Sequence, residues 1–473
     1  MEHGDFNMDG SQSDDFLSEL LSRFEQMMKN QKSEFFDSDE LIELIDYYIM
    51  TSQLHLAKRA LDLALSQYSE NIEIQVYKAM YLHAAGRSAK AIELLREIIE
   101  KQSDNVEALI SLGEILSDTG KQSEAVKCLE KALKHVDKEE RPIVIQQIID
   151  ALDDAGQHYK MIPYLKELIS IQPGNPDAMS SLAYCYNILS REEEGATFFL
   201  KIIEHDPFNT YAWFNLGNLH YNLTFYEKAI ESYGYVLAIE PKFTSAVIKM
   251  GASLSALERI DSAIEVYKQV LEYEKKDASI YNYLGHCYST KKNYKKAIHY
   301  FHKAISLDQE MTEAHLGLVY AYAGNSEFEA AYRHITKIIT DYEDTAELWF
   351  YKAYLEEQLE KYPEAIISFR KGITINPSDI DGWLSLSGMH TEYEDNYYGA
   401  LDILNEALKE HPGNVEILYR CAAICFEGGL TSEGGEWLHD ALSEDSSKYE
   451  LMFEYNPLLI NNQEIIQIIN LYI

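Results

Sequence analysis

Glycine and proline are scarce in this chain: of 473 residues, 23 are glycine and 10 are proline. So few turn formers exclude a fold of many short strands, and helix is the expected element. Cysteine is scarcer still, with five residues scattered apart from Cys421 and Cys425, and no disulfide framework is visible. Apolar runs are short. None reaches the roughly 18 residues of a membrane span. The opening "MEHGDFNMDGSQSDDFLSEL" has neither the basic nor the apolar region of a secretory leader. A cytoplasmic protein is expected, without membrane contact. Basic residues are in deficit too, 41 Lys and Arg against 78 Asp and Glu, for a formal charge of −37. Phosphate backbones would be repelled, so nucleic acid is set aside and a basic protein partner is favoured.

Catalytic motifs are missing as well. The chain has no Walker loop, dinucleotide fingerprint, HExxH or GxSxG. His299 and His302 in "AIHYFHKA" are three apart on a helix, with no carboxylate or cysteine beside them to complete a metal site. No catalytic residue, metal or cofactor is expected, and the chain reads as a non-enzyme.

What the sequence does have is a period. "AWFNLGNLHYNLTFYEKAIESYGYVLAIEP", residues 212–241, has counterparts aligned on Ala57, Ala91, Ala125, Gly195, Ala229, Ala263, Ala297, Ala331, Ala365, Ala400 and Gly434. Successive spacings are 34, apart from 35 before Ala400 and 70 between Ala125 and Gly195, where a degenerate unit sits. About twelve units fit between 38 and 448. Numbering the central unit from 1, Trp213, Leu216, Gly217 and His220 fall at 4, 7, 8 and 11, on one helical face. Ala229, Tyr233 and Val236 fall at 20, 24 and 27 on a second helix, and Pro241 at 32 ends the unit. Small residues at 8 and 20 allow close approach; larger ones at 4, 7, 11 and 24 fill the space. Cys421 and Cys425 take core positions 7 and 11 of the last unit, which favours packing over metal binding.

This pattern resembles the tetratricopeptide repeat (TPR), as do "YNYLGHCYSTKKNYKKAIHYFHKAISLD" and "EALISLGEILSDTGKQSEAVKCLEKALKHVD". The resemblance covers nearly the whole chain. It implies an all-α fold, an α-solenoid coiled as a right-handed TPR superhelix with a concave groove lined by the first helix of each unit. The expected organisation is an acidic N-terminal segment over 1–37 with an amphipathic helix, units one to four over 38–175, units five to twelve over 176–448, and a C-terminal capping helix over 449–473. Phe16, Leu20, Phe24 and Met27 give the N-terminal helix its apolar face, while the first dozen residues read as disordered. Pro163 falls where a second helix should be under way, so that helix is either shortened or a hinge. The end "NNQEIIQIINLYI" is apolar on most sides, so it either docks as a cap or forms a homodimer contact.

On the TPR resemblance, positions 2, 5, 6, 9, 12 and 13 of each first helix face the groove. Units one to four place Asp39, Glu43, Asp46, Glu73, Glu107, Glu114, Asp118, Asp150, Asp153 and Asp154 there, an acidic wall suited to a Lys/Arg-rich segment. The alternative is an ordinary solvated surface. Units five to eight place Tyr184, Asn187, Tyr211, Asn215, Asn218, Tyr221, Asn222, Asn282, Tyr283 and His286 there, and Tyr320, Tyr351 and Tyr354 continue the aromatic strip. Amides that donate and accept, beside amphipathic rings, suit the backbone of an extended peptide. The carboxylate clamp of some TPR proteins is not matched, since only Lys249 and Arg420 are basic at groove positions, and of an asparagine ladder only Asn215 is in place. The expected function is a scaffold that binds a protein or peptide in the groove. The alternatives are a non-catalytic subunit joined through the C-terminal helix, or small-ligand or glycan binding in the Asn/Tyr patch.

Overall fold

An asparagine or aspartate sits just before most of the first helices, and its side chain sets where the helix starts. Asn71, Asn105, Asn175, Asn209, Asp277, Asp379 and Asn414 each accept a hydrogen bond from the backbone N–H three residues on, at 2.7–3.2 Å. A cap of this kind is worth about 1 kcal/mol. The computed structural model describes residues 10–30, 34–341 and 344–473. Between Ser38 and Asp445 it consists of twelve helix pairs, and no strand occurs among the described residues. The fold is an all-α solenoid. First helices such as Thr210–Asn222 run for 13 residues and second helices such as Tyr226–Ile239 for 14.

The two helices of a repeat approach through glycine. A Cβ on Gly217 would lie 2.5 Å from the ring of Tyr233. That ring is fully buried, and its hydroxyl donates to Asn218 Oδ1 at 2.9 Å. Trp213 stacks on Tyr235 with ring centroids 4.2 Å apart and donates its indole N–H to the Pro207 carbonyl. The turn within each repeat passes through the left-handed region. Gly86, Gly120, Gly156 and Gly429 supply it in four repeats. Ser52, Ser190, Thr224, Glu258, Lys292, Ser326, Glu360 and Asp395 adopt it at φ 51–62° without that freedom.

The described chain divides into two compact units, one up to Ala246 and the other Val247–Ile473. In the first, the Gly10–Asn30 helix buries Leu20 and Phe24 against Phe36, Leu44 and Tyr48, while Phe16 stays exposed. Arg23 ties this helix down through Glu34 and Glu40, at 2.9 and 2.7 Å. The helix already runs at residues 10–12, which were expected to be disordered, and residues 1–9 lie outside the described residues. Pro163 does not shorten its helix. His158–Ile171 has the usual 14 residues with the proline inside, so the Tyr159 carbonyl loses its intrahelical donor.

In the second unit, Cys421 and Cys425 are fully buried in the last repeat's core, where burial holds both thiols well above their ordinary range. The expected single helix over 449–473 is instead broken. A 3-10 turn at Ser446–Lys448 precedes short helices at Leu451–Tyr455 and Gln463–Ile469, with a second 3-10 turn at Pro457–Asn461 between them. Pro457 lacks a donor, and the side chains of Asn456 and Asn462 cap new starts at Leu458 and Glu464. Met452, Leu459, Ile465 and Ile469 nonetheless dock on Leu418, Tyr419 and Leu438.

Candidate interaction surface

Most asparagines of the expected groove are engaged within the fold. Asn215 is 2% exposed and donates to the Tyr211 carbonyl on its own helix at 2.9 Å. Asn282 is 8% exposed, with its Oδ1 unpartnered. Asn218 accepts from Tyr233, and Asn222 donates to Asn187 Oδ1 at 2.8 Å. Asn215 and Asn282 are therefore buried rather than open on the groove face, which corrects the expectation. The packing of neighbouring helices covers them. The tyrosines are more varied. Tyr184 is half exposed beside His158, Tyr211 leans on Phe243, and Tyr221 on Tyr226. In the second unit Tyr283 stacks on Tyr267, and His286 packs edge-on against Phe301, where burial lowers its pKa.

The acidic residues expected along the groove of the first unit lack lysine and arginine partners. Glu43, Asp46 and Glu73 are half-buried; Glu107, Glu114, Asp118, Asp150 and Asp154 are exposed as residues, though surrounding atoms still shield the carboxyl ends of Glu107 and Glu114 from water. Among the described residues none of these eight pairs with Lys or Arg; Asp118 meets His83 at 2.9 Å, and Glu114 accepts from Gln147 at 2.5 Å. Burial, with Glu73 and Glu140 nearby, pushes the Glu107 carboxyl up. Glu114 is raised by burial and by Asp118, and Glu43 and Asp46 are raised chiefly by burial.

The best-formed concavity lies in the second unit, an open pocket of about 680 Å³. The Ala346–Gln358 helix contributes Glu347, Phe350, Tyr351, Tyr354 and Glu357, and the Ile380–Glu392 helix contributes Asp381, Leu384, Ser385, Gly388, Met389 and Glu392. Tyr320 comes from the Thr312–Gly324 helix, Arg420 from Val415–Glu427 and Tyr455 from the C-terminal segment. Spacings of three and four along each helix put these side chains on one face. Phe350 lies between two glycines, since a Cβ at Gly372 or Gly382 would come within 2.4 or 2.6 Å of its ring. The hollow opens over Gly388, where equivalent positions of other repeats carry Tyr184, Asn218, His286, Tyr320 and Tyr354.

Tyr320 meets Tyr351 edge-on with centroids 4.6 Å apart, and Tyr354 follows at 5.6 Å. Burial, with Tyr320 and Tyr354 beside it, pushes the Tyr351 hydroxyl up to about 12. Arg420 rests its guanidinium over the Tyr455 ring at 5.1 Å, and its Nε has no hydrogen-bond partner. Burial draws its pKa below the ordinary value, against the pull of Glu392 and Glu427.

Tyr351 and Tyr354 come together on one helix, with ring centroids 5.6 Å apart. The carboxylates beside them were not singled out, although positions 2, 5, 6, 9 and 12 of the tenth unit read Glu347, Phe350, Tyr351, Tyr354 and Glu357. The same register gives Asp381, Leu384, Ser385 and Gly388 in the eleventh. Tyr455 lies beyond the last repeat, and no register points to it.

Family models of the tetratricopeptide repeat match residues 82–142, 210–243, 278–311 and 316–380. No curated protein matches the sequence. Among solved structures, the chain is similar to the APC/C hetero-tetramer Cut9–Hcn1 at 13% identity over 81% of this chain and 96% of that one, with a TM-score of 0.39. The human IFIT1 dimer with PPP-AAAA aligns at 16% identity over 87% and 96%, TM-score 0.39. A tetratricopeptide repeat protein from Parabacteroides merdae aligns at 17% identity over 60% and 98%, TM-score 0.38.

Proposed function

This chain belongs to the tetratricopeptide-repeat proteins, and from that premise we propose that it is a non-enzymatic scaffold holding an extended polypeptide segment against its first helices. One observation carries the reading. Equivalent positions of four successive repeats converge on a single open pocket of aromatic rings, carboxylates and one guanidinium. A pocket of several hundred Å³, apolar with a few polar groups, is the usual form of a binding site. The helices that line it are already packed, so the entropic penalty of ordering falls mainly on the ligand. The acidic residues of the first unit support the same reading, because carboxylates without lysine or arginine partners steer basic segments. Cys128, Cys185, Cys287, Cys421 and Cys425 are free thiols, which suits a reducing, cytoplasmic setting.

The test is a photo-crosslinker placed at Ser385, an exposed pocket residue, in the full chain added to extract. The expected product is a polypeptide joined through one contiguous segment, and Gly388→Leu, which fills the hollow, should remove it. Crosslinks that persist in Gly388→Leu, or none to polypeptide at all, would sink the proposal. No helix among the described residues is long and apolar enough to cross a membrane.

A further inference from the structure

We infer that the pocket between Tyr351 and Asp381 takes a basic side chain, lysine or arginine, of the bound segment. This rests on the polypeptide-binding reading and names its anchor. On the second-helix side, the chain's own lysines cover tyrosine faces: Lys361 lies over Tyr332 at 4.2 Å, Lys303 over Tyr281 at 5.3 Å and Lys296 over Tyr288 at 5.1 Å. In the pocket, Tyr320, Tyr351 and Tyr354 have no cation over them among the described residues, although Tyr320 is 50% exposed and Tyr354 40%.

The neighbouring carboxylates are in a similar position. Asp379 caps Gly382 at 2.7 Å, and Glu357 accepts from Tyr393 at 3.3 Å. Glu347, Asp381 and Glu392 also line the pocket, and among the described residues they have no hydrogen bond or ion pair. Five carboxylates thus face one guanidinium, so the field in the pocket is that of a cation receptor. A long basic side chain matches both parts. Its methylene stem lies along the rings, and its charged head reaches the carboxylates. Arg420 also lines the pocket, and its positive charge limits the site to one further cation.

The test is selection from a displayed library of random peptides on the full chain, repeated on an Asp381→Asn/Glu392→Gln variant shown by circular dichroism to be folded. Lysine or arginine should be enriched at one position in the peptides bound by the parent chain, and the variant should lose that enrichment. Replacing that residue by norleucine or citrulline in a selected peptide should weaken binding about tenfold. Selection of peptides with no basic position, or with an acidic anchor that depends on Arg420, overturns the inference and leaves the polypeptide-binding reading standing. Failure to select any peptide overturns both.

Discussion

Gly388 shapes the pocket by carrying no side chain where Tyr184, Asn218, His286, Tyr320 and Tyr354 of other repeats carry a ring or an amide. A leucine there should reduce peptide affinity at least about tenfold in a variant shown by circular dichroism to be folded, because the added side chain takes up part of the hollow. A Cβ at this position meets the Arg420 guanidinium at 3.1 Å and the Glu392 carboxylate at 3.9 Å, both ends of flexible side chains that can yield. Gly217 is the opposite case. Its missing Cβ is occupied by the buried Tyr233 ring, so Gly217→Ala should destabilise the first unit by about 1–3 kcal/mol, read from the urea midpoint. Asn215→Ala should cost about 1 kcal/mol of stability through the lost bond to Tyr211, with peptide binding unchanged. The sequence placed Asn215 at the right position of the repeat, yet side-chain type and position alone do not reveal that a neighbouring helix covers it.

The element best read in advance was the helix pair, because its spacing of large and small residues is a packing rule written directly in residue types. Gly217 against Tyr233 and Gly285 against Phe301 are two instances of it. The turns were less legible. Glu258 and Lys292 give no hint of a left-handed backbone; only their shared place with Gly86 and Gly120 does. Thr224 is the most strained of them, being β-branched, and Thr224→Gly should stabilise the first unit by about 1 kcal/mol in urea unfolding. Pro163→Ala should add about 1–3 kcal/mol by restoring the bond to the Tyr159 carbonyl. The C-terminal segment was misread for a related reason: Asn456 and Asn462 are helix starts, and apolar residues around them masked that signal.

At the scale of the molecule, residues 38–154 and residues 312–341 should respond to acid in opposite directions. Glu43, Asp46, Glu107 and Glu114 have carboxyls raised in the folded first unit, so folding favours their protonated forms. Their contribution is unfavourable at neutral pH. It is relieved as pH falls through the raised values toward the ordinary carboxylate range. In the second unit, burial and the neighbouring His315 lower His334 from 6.5 to about 4. That neutral imidazole contributes stability in full above 6.5, and the contribution is lost as pH falls toward about 4. Amide exchange should therefore slow over residues 38–154 as pH falls toward the ordinary carboxylate range, and quicken over 312–341 as pH falls from 6.5 toward about 4, after correction for intrinsic rates. The stacking of Trp213 on Tyr235 has a spectroscopic consequence. The sequence has four tryptophans, and Trp349, Trp383 and Trp437 all lie in the second unit. Emission from a Trp213→Phe chain would come from the second unit alone, and the difference from the parent chain would be the first unit's own signal. A single heating or urea scan of each chain would then watch the two units melt separately, without cutting the polypeptide.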